Sequence, residues 1–104
     1  MDLLRFDIDN DVDLFRVDIE FNIYLKTNEK SKYLAVISDI SQSYFKAEFI
    51  AADNNWFTFK NSVTYRKELW KDVKTKPFLN VYIANSENLE GYMDNIKVTV
   101  SLIK

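Results

Sequence analysis

An all-β antiparallel β-sandwich of two sheets is the fold this chain predicts, and three observations carry it. Apolar and polar residues alternate over several long stretches, turn residues punctuate them roughly every 10 to 15 residues, and almost no segment has a helical period. The 104 residues are the length of a single domain, residues 1–104, and the 47% apolar and 15% aromatic content suffices for one core.

The clearest alternation sets Phe15, Val17, Ile19, Phe21, Ile23 and Leu25 against Arg16, Asp18, Glu20, Asn22 and Tyr24. It predicts a long half-buried strand with one wet face. Asn28-Glu29-Lys30-Ser31 reads as a turn, and Tyr33 to Ile37 as a more deeply buried strand. From Tyr44 the alternation returns, with Phe45, Ala47 and Phe49 facing one way and Tyr44, Lys46 and Glu48 the other. Asp53-Asn54-Asn55 is a turn signal, after which Trp56 to Tyr65 forms a strand whose Phe57, Phe59, Val63 and Tyr65 share a parity. Leu79, Val81 and Ile83 mark the next strand, with Asn80 and Tyr82 opposite, and Asn85 to Gly91 leads into the last. Only Arg66 to Lys76 breaks the pattern: it is charged, ends before Pro77, and reads as an exposed connection with at most a short helix. Six or seven strands result.

The closing strand begins at the only glycine, Gly91. Strict alternation puts Tyr92, Asp94, Ile96, Val98, Val100 and Leu102 on one face, the core face, and Met93, Asn95, Lys97, Thr99 and Ser101 on the other. Asp94 is then turned inward, where a carboxylate must be hydrogen-bonded, paired or bound to a cation.

Absences narrow the chemistry. With no His and no Cys, the usual zinc sites, thiol catalysis, disulfides and Ser-His triads are excluded. A single Gly cannot build a phosphate-cradling loop. The formal charge of −2 is mixed along the chain and forms no basic face, so no nucleic-acid partner is expected. No apolar run approaches the roughly 18 residues that span a bilayer, so no membrane partner is expected, and Met1-Asp2-Leu3-Leu4-Arg5 does not resemble a signal peptide. Any metal would be a hard cation on oxygen ligands.

The order of features in the second half is more specific. Asn55-Trp56-Phe57-Thr58-Phe59-Lys60, then Phe78-Leu79-Asn80-Val81-Tyr82-Ile83, then Gly91-Tyr92-Met93-Asp94-Asn95-Ile96-Lys97-Val98 resembles the jelly-roll carbohydrate-binding modules of bacterial xylanases, glucanases and phage tail proteins. Val17 to Ser38 is similar to the early strand pair of those modules, so the resemblance covers roughly residues 12 to 103. The chain lacks their N-terminal Asn- and Gly-rich segment, which supplies part of a structural calcium site, and it is poorer in glycine. The resemblance implies a jelly-roll-like antiparallel β-sandwich and a non-catalytic glycan binder, with Asp94 helping to hold a structural Ca2+.

The residues offer a competing account of each candidate. Asp94 either ligates a cation or accepts backbone N–H bonds at a strand entrance. Asp9 and Asp11, in the run Asp7-Ile8-Asp9-Asn10-Asp11-Val12-Asp13, loosely echo a calcium loop, but Val12 stands where such a loop needs Gly and a strand follows instead of a helix. They complete a site with Asp94 if the terminal strands are neighbours; otherwise the run is a solvated turn. Tyr24, Tyr44, Trp56 and Tyr82 lie on the polar parity of their strands with Asn22, Glu48 and Asn80 beside them. Aromatic faces stack on sugar C–H faces while amides and carboxylates bond hydroxyls, so these seven are the candidate glycan site. The same set would equally serve an interface. Trp70 either contacts a partner from the exposed connection or folds back as a lid on the sandwich edge.

The expected function is a lectin-like targeting or adhesion module, not an enzyme, since sixteen acidic residues offer carboxylate pairs only by chance. A homo-oligomer or a larger parent protein would supply avidity. The alternative is a protein-interaction or structural module, a virion component or a small phage-encoded inhibitor of a host factor. An extracellular or virion location suits the first reading, and a cytoplasmic one the second if Met1 is the natural start.

Overall fold

Seven strands and one short 3-10 turn alternate between two layers in the computed structural model, which describes residues 1–29 and 31–103. In chain order they are β1 (Asp2–Asp7), β2 (Leu14–Lys26), β3 (Tyr33–Ile40), β4 (Tyr44–Ala51), β5 (Trp56–Arg66), the turn Lys67–Leu69, β6 (Phe78–Ala84) and β7 (Glu90–Leu102). Lys30, within the predicted turn at 28–31, lies outside the described residues. Sheet A has the order β1-β6-β3-β4 and sheet B the order β5-β2-β7, all neighbours antiparallel. The molecule is therefore an all-β sandwich of two antiparallel sheets.

Only β3 and β4 are joined within one sheet; every other connection crosses between layers. That crossing closes the core, because each strand leaves its apolar row against the sheet that holds the next strand. The alternation of β2 is realised in full: Phe15 to Leu25 at odd positions are buried and the even positions face out. Opposite them, sheet A contributes Leu34, Val36, Ile40, Leu79, Val81 and Ile83. Long strands make a plank of 47 × 23 × 17 Å, with one end plugged by aromatics.

That plug contains Trp70. The turn at Lys67–Leu69 and the bonds from Lys71 N–H to the Lys67 carbonyl (2.8 Å) and from Val73 N–H to the Trp70 carbonyl (3.1 Å) fold the connection inward. The indole lies 5.1 Å from the Phe15 ring and is only 3% exposed. Its interface reading is corrected: it is a lid, held by burial with Phe6, Phe15 and Tyr65.

Two parity expectations also fail, each for a local reason. In β4, register with β3 places Tyr44, Lys46, Glu48 and Ile50 opposite Ile40, Ser38, Val36 and Leu34, the core-facing row. Phe45, Ala47 and Phe49 consequently point outward. The polar side chains tolerate the inner face because β4 is an edge strand, where Lys46 and Glu48 run along apolar surface to water and approach each other at 3.7 Å.

In β7 the break is a β-bulge. Glu20 pairs with Lys97 and Asn22 with Asp94, so Asn95 and Ile96 together oppose Phe21. Asn95 takes the left-handed conformation, φ 54°, which Asn tolerates better than most residues. The extra residue exchanges the faces. Before it Met93 points in and Tyr92 and Asp94 out; after it Val98 and Val100 point in.

Candidate functional site

The outer face of sheet B collects an aromatic row and a polar row beside it. Tyr24 of β2 pairs in register with Trp56 of β5 on one side and Tyr92 of β7 on the other. Ring centroids lie 5.9 Å apart for Tyr24 and Trp56 and 6.5 Å for Tyr24 and Tyr92, with tilts of 55° and 44°. Trp56 is 56% exposed and Tyr92 64%, so their faces are open to solvent. Twist between neighbouring strands accounts for part of the tilt, since each strand turns its side chains relative to the next.

One step along the strands, Asn22 pairs with Thr58 and with Asp94. The Thr58 hydroxyl donates to Asn22 Oδ1 at 2.8 Å, which orients the amide and leaves its N–H groups directed elsewhere. Beyond lie Lys60, Glu20 and Lys97, then Ser62, Asp18 and Thr99. Lys60 Nζ is 3.6 Å from Glu20 Oε1, and Arg16 Nε donates to Asp18 Oδ2 at 3.0 Å. The Ser62 hydroxyl, opposed in part by desolvation and aided by Arg16, holds the Asp18 carboxyl below its ordinary value. These last two rows line a shallow groove of about 460 Å³ that continues the aromatic row along the face.

Gly91 sets the spacing of the row. It pairs with Leu25 directly after Tyr24, and a Cβ there would collide with the Tyr24 carbonyl oxygen and stand 3.0 Å from the Leu25 side chain. The absence of a side chain lets β7 lie tight against β2, which brings Tyr92 next to Tyr24.

Of the seven glycan candidates, Tyr24, Trp56 and Asn22 come together here. Tyr82 and Asn80 lie on the outer face of sheet A, on the opposite side of the molecule. Tyr44 and Glu48 lie on the inner row of β4 instead of its outer face: Tyr44 meets Tyr65 edge-on at 6.2 Å, and Glu48 reaches water only past the sheet edge, beside Lys46. Tyr65 is buried, and burial pushes its phenol above the ordinary value, against a lowering from the Ser38 hydroxyl and with further raising by Tyr44 and Glu48.

Tyr92 and Asp94 complete the surface and were placed on the wrong face by strict alternation. The signal was present: apolar parity changes between Met93 and Val98, and Asn95 is a residue suited to positive φ at the change.

The inward placement of Asp94 is corrected by the same bulge, since its carboxylate is exposed. Asp9 and Asp11 lie before Leu14, at the other end of β2 from Asn22, about 25 Å away at ~3.3 Å per residue. Asp9 is taken by Lys76 at 2.9 Å and Asp13 by Lys67 at 3.5 Å. Among the described residues no group of three or more acidic side chains converges to hold a metal ion. The expected joint site of Asp94, Asp9 and Asp11 is therefore not assembled. No helix among the described residues is long and apolar enough to cross a membrane.

No protein-family model, curated protein or solved structure matches the chain.

Proposed function

We propose that this chain binds glycan without transforming it, through the outer face of sheet B. The observation that carries the reading is the in-register row Trp56–Tyr24–Tyr92 with Thr58, Asn22 and Asp94 directly beside it. Rings of this kind stack on the C–H faces of sugars, and an oriented amide, a hydroxyl and a carboxylate within one strand step bond the hydroxyls around them. The closing segment that resembles carbohydrate-binding modules, Tyr92-Met93-Asp94-Asn95-Ile96, is the segment that supplies Tyr92 and Asp94. The groove beyond extends recognition to further sugar units.

The face is open along its length and excludes water nowhere, which suits binding and offers no dry cleft for acid–base chemistry. Binding is proposed to be independent of calcium, because the carboxylates available are scattered.

The test is a glycan-array screen of the purified chain, run with calcium and again with chelator. Binding to at least one glycan, reduced tenfold or more by Trp56→Ala or Tyr92→Ala, unchanged by Tyr82→Ala and unchanged by chelator, is the expected result. A blank across plant, bacterial-wall and animal glycans at high protein concentration would overturn the reading. The alternative, a protein-interaction or structural module, is favoured by one observation, the apolar outer face of sheet A.

A further inference from the structure

The outer face of sheet A is apolar where a solvated sheet face should be polar. Its rows run Phe49–Ala35–Ala84 and Ala47–Ile37–Tyr82 across β4, β3 and β6, flanked by Tyr33 at one end and Phe45 at the other. Tyr33, Phe45 and Phe49 are 46%, 56% and 68% exposed. At roughly 200 Å² per aromatic side chain, those fractions leave about 340 Å² of ring surface in water on each copy. Together with the surrounding alanines, Ile37 and Tyr82, the patch is of the size that marks a functional surface.

Its relief is self-complementary. Phe49 is a ridge on the edge strand. Beside it, over β3 and β6, Ala35 and Ala84 form the floor of a depression of about 640 Å³ walled by Tyr33, Ile37 and Phe49, with Ser86 and Glu87 at its polar end. We infer that the occupant of this face is a second copy of the chain, packed sheet to sheet about a two-fold axis. An axis running along the strands between β4 and β3 carries the Phe49 of each copy over the Ala35 of the other, with Ala84 at the far side of the ring. The knob and the hole lie about equally far from that axis at the ~4.8 Å strand spacing. Aligned face-to-face packing of this kind is the ordinary way for two sheets to cover each other, and an isologous contact closes as a dimer.

Charge follows the same division. The apolar rows of β4 and β3 overlap across the axis, with Asp39 at one end of the contact opposite Phe45 of the other copy. The outer rows of β6 and β1, with Asn80, Asp2, Arg5 and Asp7, fall outside the overlap and stay wet as a polar rim. The pair removes on the order of 1,000 Å² from water, the lower end of specific interfaces, so a weak, reversible dimer is expected.

Four layers then stack as B-A-A-B. At ~10 Å per layer spacing the two aromatic rows stand about 30 Å apart on opposite outer faces. The dimer would cross-link two glycans, a consequence that rests on the proposed function, whereas the dimer itself does not.

Sedimentation velocity from roughly 1 to 500 μM, a span suited to a weak, reversible dimer, tests the inference without any glycan. The expected result is a concentration-dependent monomer–dimer equilibrium whose Kd rises at least tenfold in Phe49→Asp and in Ala84→Glu and is unmoved by Tyr92→Ala. Circular dichroism checks that each variant is folded. Since the chain has no cysteine, Ala35→Cys, beside the axis, gives a second readout in an otherwise native face. It should be joined to its own copy by a short bis-maleimide, while Thr64→Cys on sheet B should not. A wild-type chain that stays monomeric throughout, or a dimer that Phe49→Asp and Ala84→Glu leave intact, overturns the proposal.

Discussion

Replacing Gly91 by alanine sets two physical effects against each other with opposite sign. Backbone entropy favours alanine inside a strand by roughly 0.5–1 kcal/mol, so propensity alone predicts a more stable protein. Gly91 does not have a positive φ, and no turn requires it. The only obstacle is space: its missing Cβ would lie against the Tyr24 carbonyl oxygen and the Leu25 side chain. Leu25 can rotate, but the carbonyl belongs to the central strand of sheet B and is held from both sides by β5 and β7. Overpacking costs about 1–3 kcal/mol, and collision with a fixed backbone oxygen belongs at the upper end, about 2–3 kcal/mol, which outweighs the entropy term and leaves a net loss of about 1–2 kcal/mol. For a domain of this size, that lowers the melting temperature by about 4–15 °C. In urea, with a slope of about 1–2 kcal/mol/M, the midpoint falls by roughly 1 M. Denaturation followed by circular dichroism measures it; under the proposed glycan-binding function, β7 moving away from Tyr24 would also weaken binding on the array. An unchanged or raised urea midpoint would refute the steric account and the claim that Gly91 sets the Tyr24–Tyr92 spacing.

Two further outcomes concern the aromatic plug and its neighbour. The Trp70 N–H is buried and has no hydrogen-bond partner among the described residues, a state that costs about 1–3 kcal/mol. Trp70→Phe keeps most of the packing on Phe15 and removes that donor, so it should destabilise by about 1 kcal/mol or less, against about 3–5 kcal/mol for Trp70→Ala. Equal losses in chemical denaturation would contradict the plug. The raised pKa of Tyr65 means that the folded state holds its phenolic proton more tightly than the unfolded chain. Its stabilising effect is complete below the unfolded value near 10 and is lost as pH rises through the folded value. Urea midpoints measured between pH 8 and 11.5 should fall more steeply for the wild type than for Tyr65→Phe, and parallel curves would count against a buried phenol.

Much of the fold was legible because its signals are local. The alternation of β2 marks a half-buried central strand whatever surrounds it, and Asp53-Asn54-Asn55 ends a strand through its own turn chemistry. β1 was not legible: Leu3, Leu4 and Phe6 give too short a pattern, and only pairing with β6 makes them a strand. Of the candidate residues on the outer face of sheet B, three were placed on it by the sequence. Tyr24, Asn22 and Trp56 follow from strict period-two alternation in β2 and β5, whereas Tyr92 and Asp94 were lost at the bulge.

The amino-acid sequence by itself determined the class of fold, the identity of the central strand and the absence of thiol, imidazole and glycine-loop chemistry. These depend on composition and on the period of side-chain direction within one strand. Tertiary structure alone decided which face is inside wherever both faces of a strand carry apolar or amphipathic residues. Phe45 and Phe49 look like core residues, and Tyr44 and Glu48 like surface. Pairing with β3 reverses them, because one hydrogen-bonded register must serve every residue of the strand at once. In β7 a single extra residue at Asn95 exchanges the faces, turning Asp94 out to water beside Asn22 and leaving Val98 and Val100 in the core. Sheet registers are agreements between distant segments, and no window of one strand contains them.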